Sequence, residues 1–280
     1  MQPDRGRPRV EARVGMASPL GVAISQADQN TMRMVEEAIR TRRLMLAYQP
    51  VVLTRDPKRV AFHEGLIRVL EPSGRIIPAG DFIHAVEGHE LGREIDCAAL
   101  EAGLLALARH ADLRLSINMS ARSIGYPRWM RTLKKGLEAG PTVGERLILE
   151  ITESSAMTVP ELVVTFMEEW QNKGVAFAMD DFGAGNTAIR YFKDFMFDIL
   201  KIDGQFIRKI SRDPDNQALV KALIGIGRHF EMFTVAESVE TPEDAEALRL
   251  MGVDCLQGYL FGAPSIRPPW QPAEAQKKRA

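Results

Sequence analysis

Seven short apolar runs along this chain each end in a side chain able to hold a hard metal ion or a phosphate. The end residues are Glu64, Asn118, Glu150, the pair Asp180 and Asp181, Lys201, Glu237 and Gln257. Most of these runs are followed by a stretch with helical spacing. Closing parallel strands into a barrel brings their C-terminal ends to one mouth, so residues spread over most of the chain converge there. Carboxylates gathered within a few ångströms would repel one another by roughly 1 kcal/mol per pair in water and several times that in a drier cleft. The pattern therefore predicts bound divalent cations.

The bulk numbers agree with one large α/β domain: 280 residues, 45% hydrophobic and 26% charged, are enough for a well-filled core. A formal net charge of −1 excludes a globally basic nucleic-acid binder, so no DNA or RNA partner is expected and a phosphate ligand must be drawn by a local site. Cys97 and Cys255 fall in a helix-like and a strand-like run, which suits reduced core thiols. No run reaches the roughly 18 apolar residues of a membrane span, and the start MQPDRGRPRVEARVG has no apolar core of signal-peptide length. The expectation is a cytoplasmic protein without a membrane span. Residues 1–26 and 267–280 read as mobile tails around a barrel domain at 27–266.

A polar start at Ser25 to Asn30, followed by Met32, Val35, Ile39 and Leu44 among charges, predicts a leading amphipathic helix that caps the barrel bottom. LMLAYQPVVL (44–53) and VAFHEGLIRV (60–69) read as strands, and TRDPKR between them is too short for a crossover helix of roughly a dozen residues. These two strands should pair antiparallel. From LRLSINM onward, strands and helices alternate regularly, which implies right-handed parallel crossovers. Eight strands in all predict a (β/α)₈ TIM-like barrel with an antiparallel first strand.

The ligand set is all oxygen, so magnesium or manganese is favoured over zinc. Asp180 and Asp181 precede a glycine turn, DDFGAG; one can bridge two ions while the other holds the second, an arrangement suited to phosphate esters. Taken alone, such a pair is as often a turn or a helix cap. Lys201 lies in an apolar strand where burial demands charged partners: it either meets the carboxylates, beside an attacking water or a phosphoryl oxygen, or forms a structural pair with Asp203. Arg68 suits bidentate phosphate recognition or is a surface arginine. Glu153 and Glu240 follow Glu150 and Glu237 by three residues and are assigned to ordering loops. A glycosidase would need only two carboxylates. His63 should face away from Glu64 by strand alternation. Phe192, Phe195 and Phe197 read as core, with a dimer contact there as a further hypothesis.

Taken together, YQPVV, HEGLIR, INMS, LEITES, DDFGAG, LKIDGQF, AESVET and QGYLFGAP resemble, in order and over most of the chain, the EAL-type cyclic-di-GMP phosphodiesterases of bacteria. The resemblance implies hydrolysis of cyclic di-GMP to linear pGpG by two Mg²⁺ or Mn²⁺ ions. It makes Glu64, Asn118, Glu150 and Asp180 ligands of the first ion, and Asp180, Asp181 and Glu237 partners of the second or its water. Glu237 would be the general base, with Lys201 beside the nucleophile. Arg68 would hold a phosphate, Gln257 would act near the water or metal, and Gln49 and Leu66 would line the nucleotide pocket. The expected partners are cyclic di-GMP and a second copy of the chain in a homodimer. Three positions depart from the family: Gly65 stands for alanine in the signature tripeptide, Ala184 for threonine in the DDFG loop, and Ser238 for glycine in the AEGVE-like stretch. None removes a ligand. The alternative is a catalytically weak EAL-like receptor that binds cyclic di-GMP and acts through a partner.

Overall fold

The computed structural model describes residues 19–183 and 193–270, with side chains from residue 26 onward. Its centre is a closed barrel of eight strands with a ninth on its rim. The strands are β1 (Leu44–Leu53), β2 (Asp56–Leu70), β3 (Ile76–Pro78), β4 (Leu115–Asn118), β5 (Leu147–Thr152), β6 (Ala176–Phe182), β7 (Ile199–Ile202), β8 (Phe233–Ala236) and β9 (Cys255–Gln257). From β2 through β4 to β9 neighbours run parallel. β1 runs antiparallel to both β2 and β9 and closes the ring, so the expected reversed first strand is present. Its connection to β2 is tighter than expected, with only Thr54 and Arg55 between the strands.

The helices are α1 (Pro19–Arg40), α2 (Ile83–Val86), α3 (Glu90–Arg109), α4 (Pro127–Leu137), α5 (Val143–Arg146), α6 (Glu153–Ala156), α7 (Pro160–Gln171), α8 (Gly204–Ile207), α9 (Pro214–His229) and α10 (Pro242–Met251). Four of them, α4, α7, α9 and α10, start with a proline in the first turn, because proline's fixed φ fits a helix start and its missing N–H has no partner to lose there. Asp213 and Thr241 cap α9 and α10 by accepting backbone N–H bonds. Inside the barrel and beneath the helices, Leu115, Leu147, Phe177, Leu200 and Val235 are fully buried, the short apolar runs of the sequence turned into packed strands.

Three features differ from the expectation. β3 pairs antiparallel with the end of β2; three residues are too few to show a period. α1 does not cap the bottom of the barrel. It packs against α2, α3 and β2, burying Val35 and Ala38. Because β1 is reversed, Leu44 pairs with Val69 near the C-terminal end of β2, and the helix feeding β1 is delivered to the mouth side. Finally, described structure lies on both sides of the expected domain bounds: α1 begins at Pro19, and past 266 Pro268 is buried and the Trp270 ring meets Tyr48 edge-on at 5.1 Å and His63 at 4.6 Å. The indole packs there on the outer face of β1 and β2, with the His110 ring at the end of α3 6.1 Å away. The helix expected after Gly185, with Ala184 and Phe192, lies outside the described residues. Phe195 and Phe197 are buried against each other, ring centroids 5.4 Å apart.

Candidate metal centre and active site

The inward-facing side chains at the strand ends meet around one ammonium. Lys201 Nζ lies 2.7 Å from Glu150 Oε2, 2.8 Å from Glu237 Oε1, 2.9 Å from Asp180 Oδ1 and 3.5 Å from Glu64 Oε2. Its side chain is 1% exposed. A lysine so enclosed is tolerable only when its charge is balanced in place. Burial alone would lower its pKa, but Asp180, Glu150, Glu237 and Glu64 outweigh that and raise it well above the ordinary value. Asp203 is not its partner; it caps α8 by accepting the Gln205 N–H at 2.6 Å.

The carboxylates feel the reverse. Glu150 is pushed up to about 8 by burial, helped by Glu64 and Asp180 and opposed by Lys201. Glu237 is raised well above the carboxylate range by burial first, then by Asp180 and Glu64. Partial burial and the neighbouring Asp180 and Asp203 push Asp181 up to about 6. One ammonium does not neutralise this group of acids.

Asp180 and Asp181 share the site because the strand breaks its own alternation. The β6–β7 register shifts between Met179 and Phe182, and Asp181 takes a left-handed backbone with φ 55°. A bulge of this kind re-aims a side chain that a regular strand would send to the other face. One oxygen each from Asp180, Asp181 and Glu237 then lies within 4.8 Å of the others. Asn118 Nδ2 donates to Glu64 Oε1 at 2.9 Å. Gln257 Nε2 donates to Glu64 Oε2 at 2.5 Å and to Gln49 Oε1 at 3.1 Å, and Gln49 Nε2 donates to the Gly262 carbonyl at 3.1 Å.

The donor set fits divalent cations. Every inward group except Lys201 presents oxygen, and Glu150 Oε1 and Gln257 Oε1 are buried without a hydrogen-bond partner. An unsatisfied buried carboxylate oxygen is costly, and a hard cation relieves that cost.

A cavity of about 400 Å³ opens over these groups, walled by Leu66, Arg68, Arg208, Ser238, Glu240 and Tyr259 among others. Arg68 is half-buried, donates from Nη1 to the Ile67 carbonyl at 2.9 Å, and is lowered by that burial against the raising effect of Glu64. Glu153 is buried outside the cluster, where its Oε2 accepts the Gly183 N–H at 3.0 Å. Glu240 is exposed on the cavity wall and makes no hydrogen bond to a loop among the described residues. His63 faces outward and is lowered to about 4 by burial.

Two of the three departures, Gly65 and Ser238, have structural counterparts. A Cβ on Gly65 would stand 2.7 Å from Ile117 Cδ1, so the isoleucine already fills the space an alanine methyl would take. Ser238 holds φ 56°, a backbone that glycine adopts without strain.

Sequence reasoning passed over Asp96. Buried on α3, its Oδ2 accepts the Ser120 N–H at 2.9 Å and the Ser123 hydroxyl at 2.6 Å, anchoring the loop that follows Asn118. Burial pushes it up to about 6 against those two bonds. The available signal was an aspartate on the apolar face of a helix.

A TIM-like barrel with one reversed strand and a cation-seeking mouth is the class these observations define. The chain belongs to the EAL domain family, whose sequence profile matches residues 32–264. The bifunctional diguanylate cyclase/cyclic di-GMP phosphodiesterase MucR of Pseudomonas aeruginosa is 32% identical over 247 residues, 86% of this chain and 36% of that protein. The cyclic di-GMP phosphodiesterase PdeB of Shewanella oneidensis is 32% identical over 235 residues, 82% of this chain and 27% of PdeB. The chain thus spans about a third of the length of these relatives. Among solved structures, the MucR phosphodiesterase in complex with c-di-GMP matches with a TM-score of 0.77 at 31% identity, covering 88% of this chain and 99% of that one. The FimX EAL domain from Pseudomonas aeruginosa bound to c-di-GMP also matches at 0.77, with 25% identity and 85% and 97% coverage. No helix among the described residues is long and apolar enough to cross a membrane.

Proposed function

We propose that the chain is a cyclic-di-GMP phosphodiesterase that hydrolyses its substrate to linear pGpG with two divalent ions, magnesium or manganese. The observation that carries this reading is the convergence of Glu64, Glu150, Asp180 and Glu237 on Lys201 beneath a cavity with arginine on its walls. Glu64, Asn118, Glu150 and Asp180 are assigned to one ion, and Asp180, Asp181 and Glu237 to the other. When bound, such ions supply Lewis acidity at the phosphodiester and offset the excess of carboxylate charge.

The chain's own groups have separate tasks. Lys201, its pKa raised, keeps its proton and donates from Nζ to the attacking water or a phosphoryl oxygen. Glu237, at the edge of the cavity, accepts the water's proton on a carboxylate oxygen. Arg68 holds a phosphate, Gln257 works beside the water, and Gln49 and Leu66 line the nucleotide pocket. Glu153 orders the loop after Asp181 through Gly183. Glu240 is assigned to the loop that leaves β8. The working unit is residues 27–266, and a homodimer is tested by light scattering.

The deciding experiment incubates the purified chain with cyclic di-GMP and Mg²⁺, Mn²⁺ or Ca²⁺ and separates products by chromatography. The expected outcome is pGpG with the first two ions and none with calcium, whose larger, looser coordination suits a paired magnesium-type site poorly. Binding without pGpG under any ion would assign the chain to the receptors instead.

A further inference from the structure

We propose that Arg208 and Ser238 form a second phosphate subsite, which takes the distal phosphate of a cyclic dinucleotide while the first lies over the carboxylates. The inference rests on the cyclic-di-GMP reading above and concerns the half of the ligand that undergoes no chemistry. Such a ligand carries two phosphodiesters, so a cavity that recognises the whole ring needs positive charge at two separated places.

Among the described residues three cations face the cavity: Arg68, Lys201 and Arg208. Lys201 lies among four carboxylates at the reacting centre, where its assigned task is the attacking water or the phosphate undergoing chemistry. Arg68 stands next to Glu64 in the electrostatics of the site and serves the phosphate at the reacting centre. Among the described residues Arg208 has no carboxylate within ion-pair distance, and it sits at the C-terminal end of α8. An exposed guanidinium on a cavity wall, with no protein anion to hold it, is available to a ligand anion.

Ser238 joins it through a notch. Gly204 has no side chain, and Ser238 Oγ occupies the space a Cβ there would need, while Arg208 Nη2 lies 4.0 Å from the same point. Ser238 holds a left-handed backbone, φ 56°, to place its hydroxyl there. Both residues line the cavity and both approach Gly204, so a hydroxyl donor and a guanidinium share one stretch of the wall, a pairing that can bind phosphate oxygens.

Steady-state kinetics with cyclic di-GMP and Mg²⁺ test the assignment. Arg208→Ala should raise KM about tenfold, the effect of losing one charge-assisted hydrogen bond, with kcat within about twofold. Arg208→Lys, which keeps the charge but not the fork, should recover part of that loss. Ser238→Gly should raise KM about threefold while the melting temperature holds or rises, because the left-handed strain is removed; a purely structural serine would not separate the two. A KM within twofold of wild type for Arg208→Ala overturns the subsite and leaves the enzymatic reading standing. A wild-type chain that neither binds nor cleaves cyclic di-GMP overturns both, so the two failures are told apart by the wild-type measurement.

Discussion

The two faces of β1 and β2 solve the same problem in opposite ways. Inward, Gln49 and Glu64 are buried among other polar groups, and the charge is kept by pairing it with Lys201, Asn118 and Gln257. Outward, the next residues along, Tyr48 and His63, lie under Trp270; here charge is avoided, and the imidazole is driven to about 4. Strand alternation alone decides which residue meets which environment. A buried polar side chain is therefore informative about function only together with what its face offers it.

The strongest way to break this contrast is to remove the inward counter-charge. Lys201→Met should leave the surrounding carboxylates without their cation and cost about 3–5 kcal/mol of stability at neutral pH. Acidification or added Mg²⁺ should restore part of it in a melting experiment. Stability independent of both would show that the cluster does not depend on positive charge. Glu64→Ala comes next: turnover of cyclic di-GMP should fall by about a thousandfold, the scale of losing a principal electrostatic group, with weaker metal uptake by calorimetry, whereas His63→Ala should stay active. If the histidine change were the inactivating one, the two faces would be wrongly assigned.

The outward face has a pH signature. Folding disfavours the charged form of His63, so its contribution is complete above the unfolded value near 6.5 and is lost as pH falls from there toward about 4. Discounted for partial exposure, this is about 1–2 kcal/mol. Asp96, pushed up to about 6, acts in the opposite sense, so the quantity to measure is wild type minus His63→Phe in urea melts between pH 7 and pH 4. A flat difference would contradict the burial-driven shift. The smallest effect is expected at Gly65→Ala, where the new methyl meets Ile117 Cδ1 at 2.7 Å and the Ser116 carbonyl at 3.2 Å. The cost should be about 1 kcal/mol, recovered by Ile117→Val.

How far these faces were legible in the sequence depends on range. Apolar runs closed by polar residues marked the parallel strands and their ends, because a period of two and a terminal charge are local properties. The short link before β2 announced the reversed strand for the same reason. What α1 packs against was not legible, since it follows from the direction of β1 and that direction had to be carried one element further. β3 is too short to carry a period. Asp96 and Arg208 belong to their surroundings only through residues brought near by folding, and the left-handed backbone of Ser238 leaves no compositional trace beyond the absence of the glycine that would have fitted it.

The seam between β1 and β9 carries a consequence for timing. Val51, Val52 and Leu53 pair with Gln257, Leu256 and Cys255, and Gln257 reaches across 193 positions to Glu64. Within this domain Glu64 is synthesised long before Gln257, so the acid waits for the last of the described strands, β9, to arrive. Contacts of such long sequence separation form late, so a nascent or truncated chain lacking β9 has its acids made but not assembled, and competence for any chemistry at the mouth arrives with the closing of the ring.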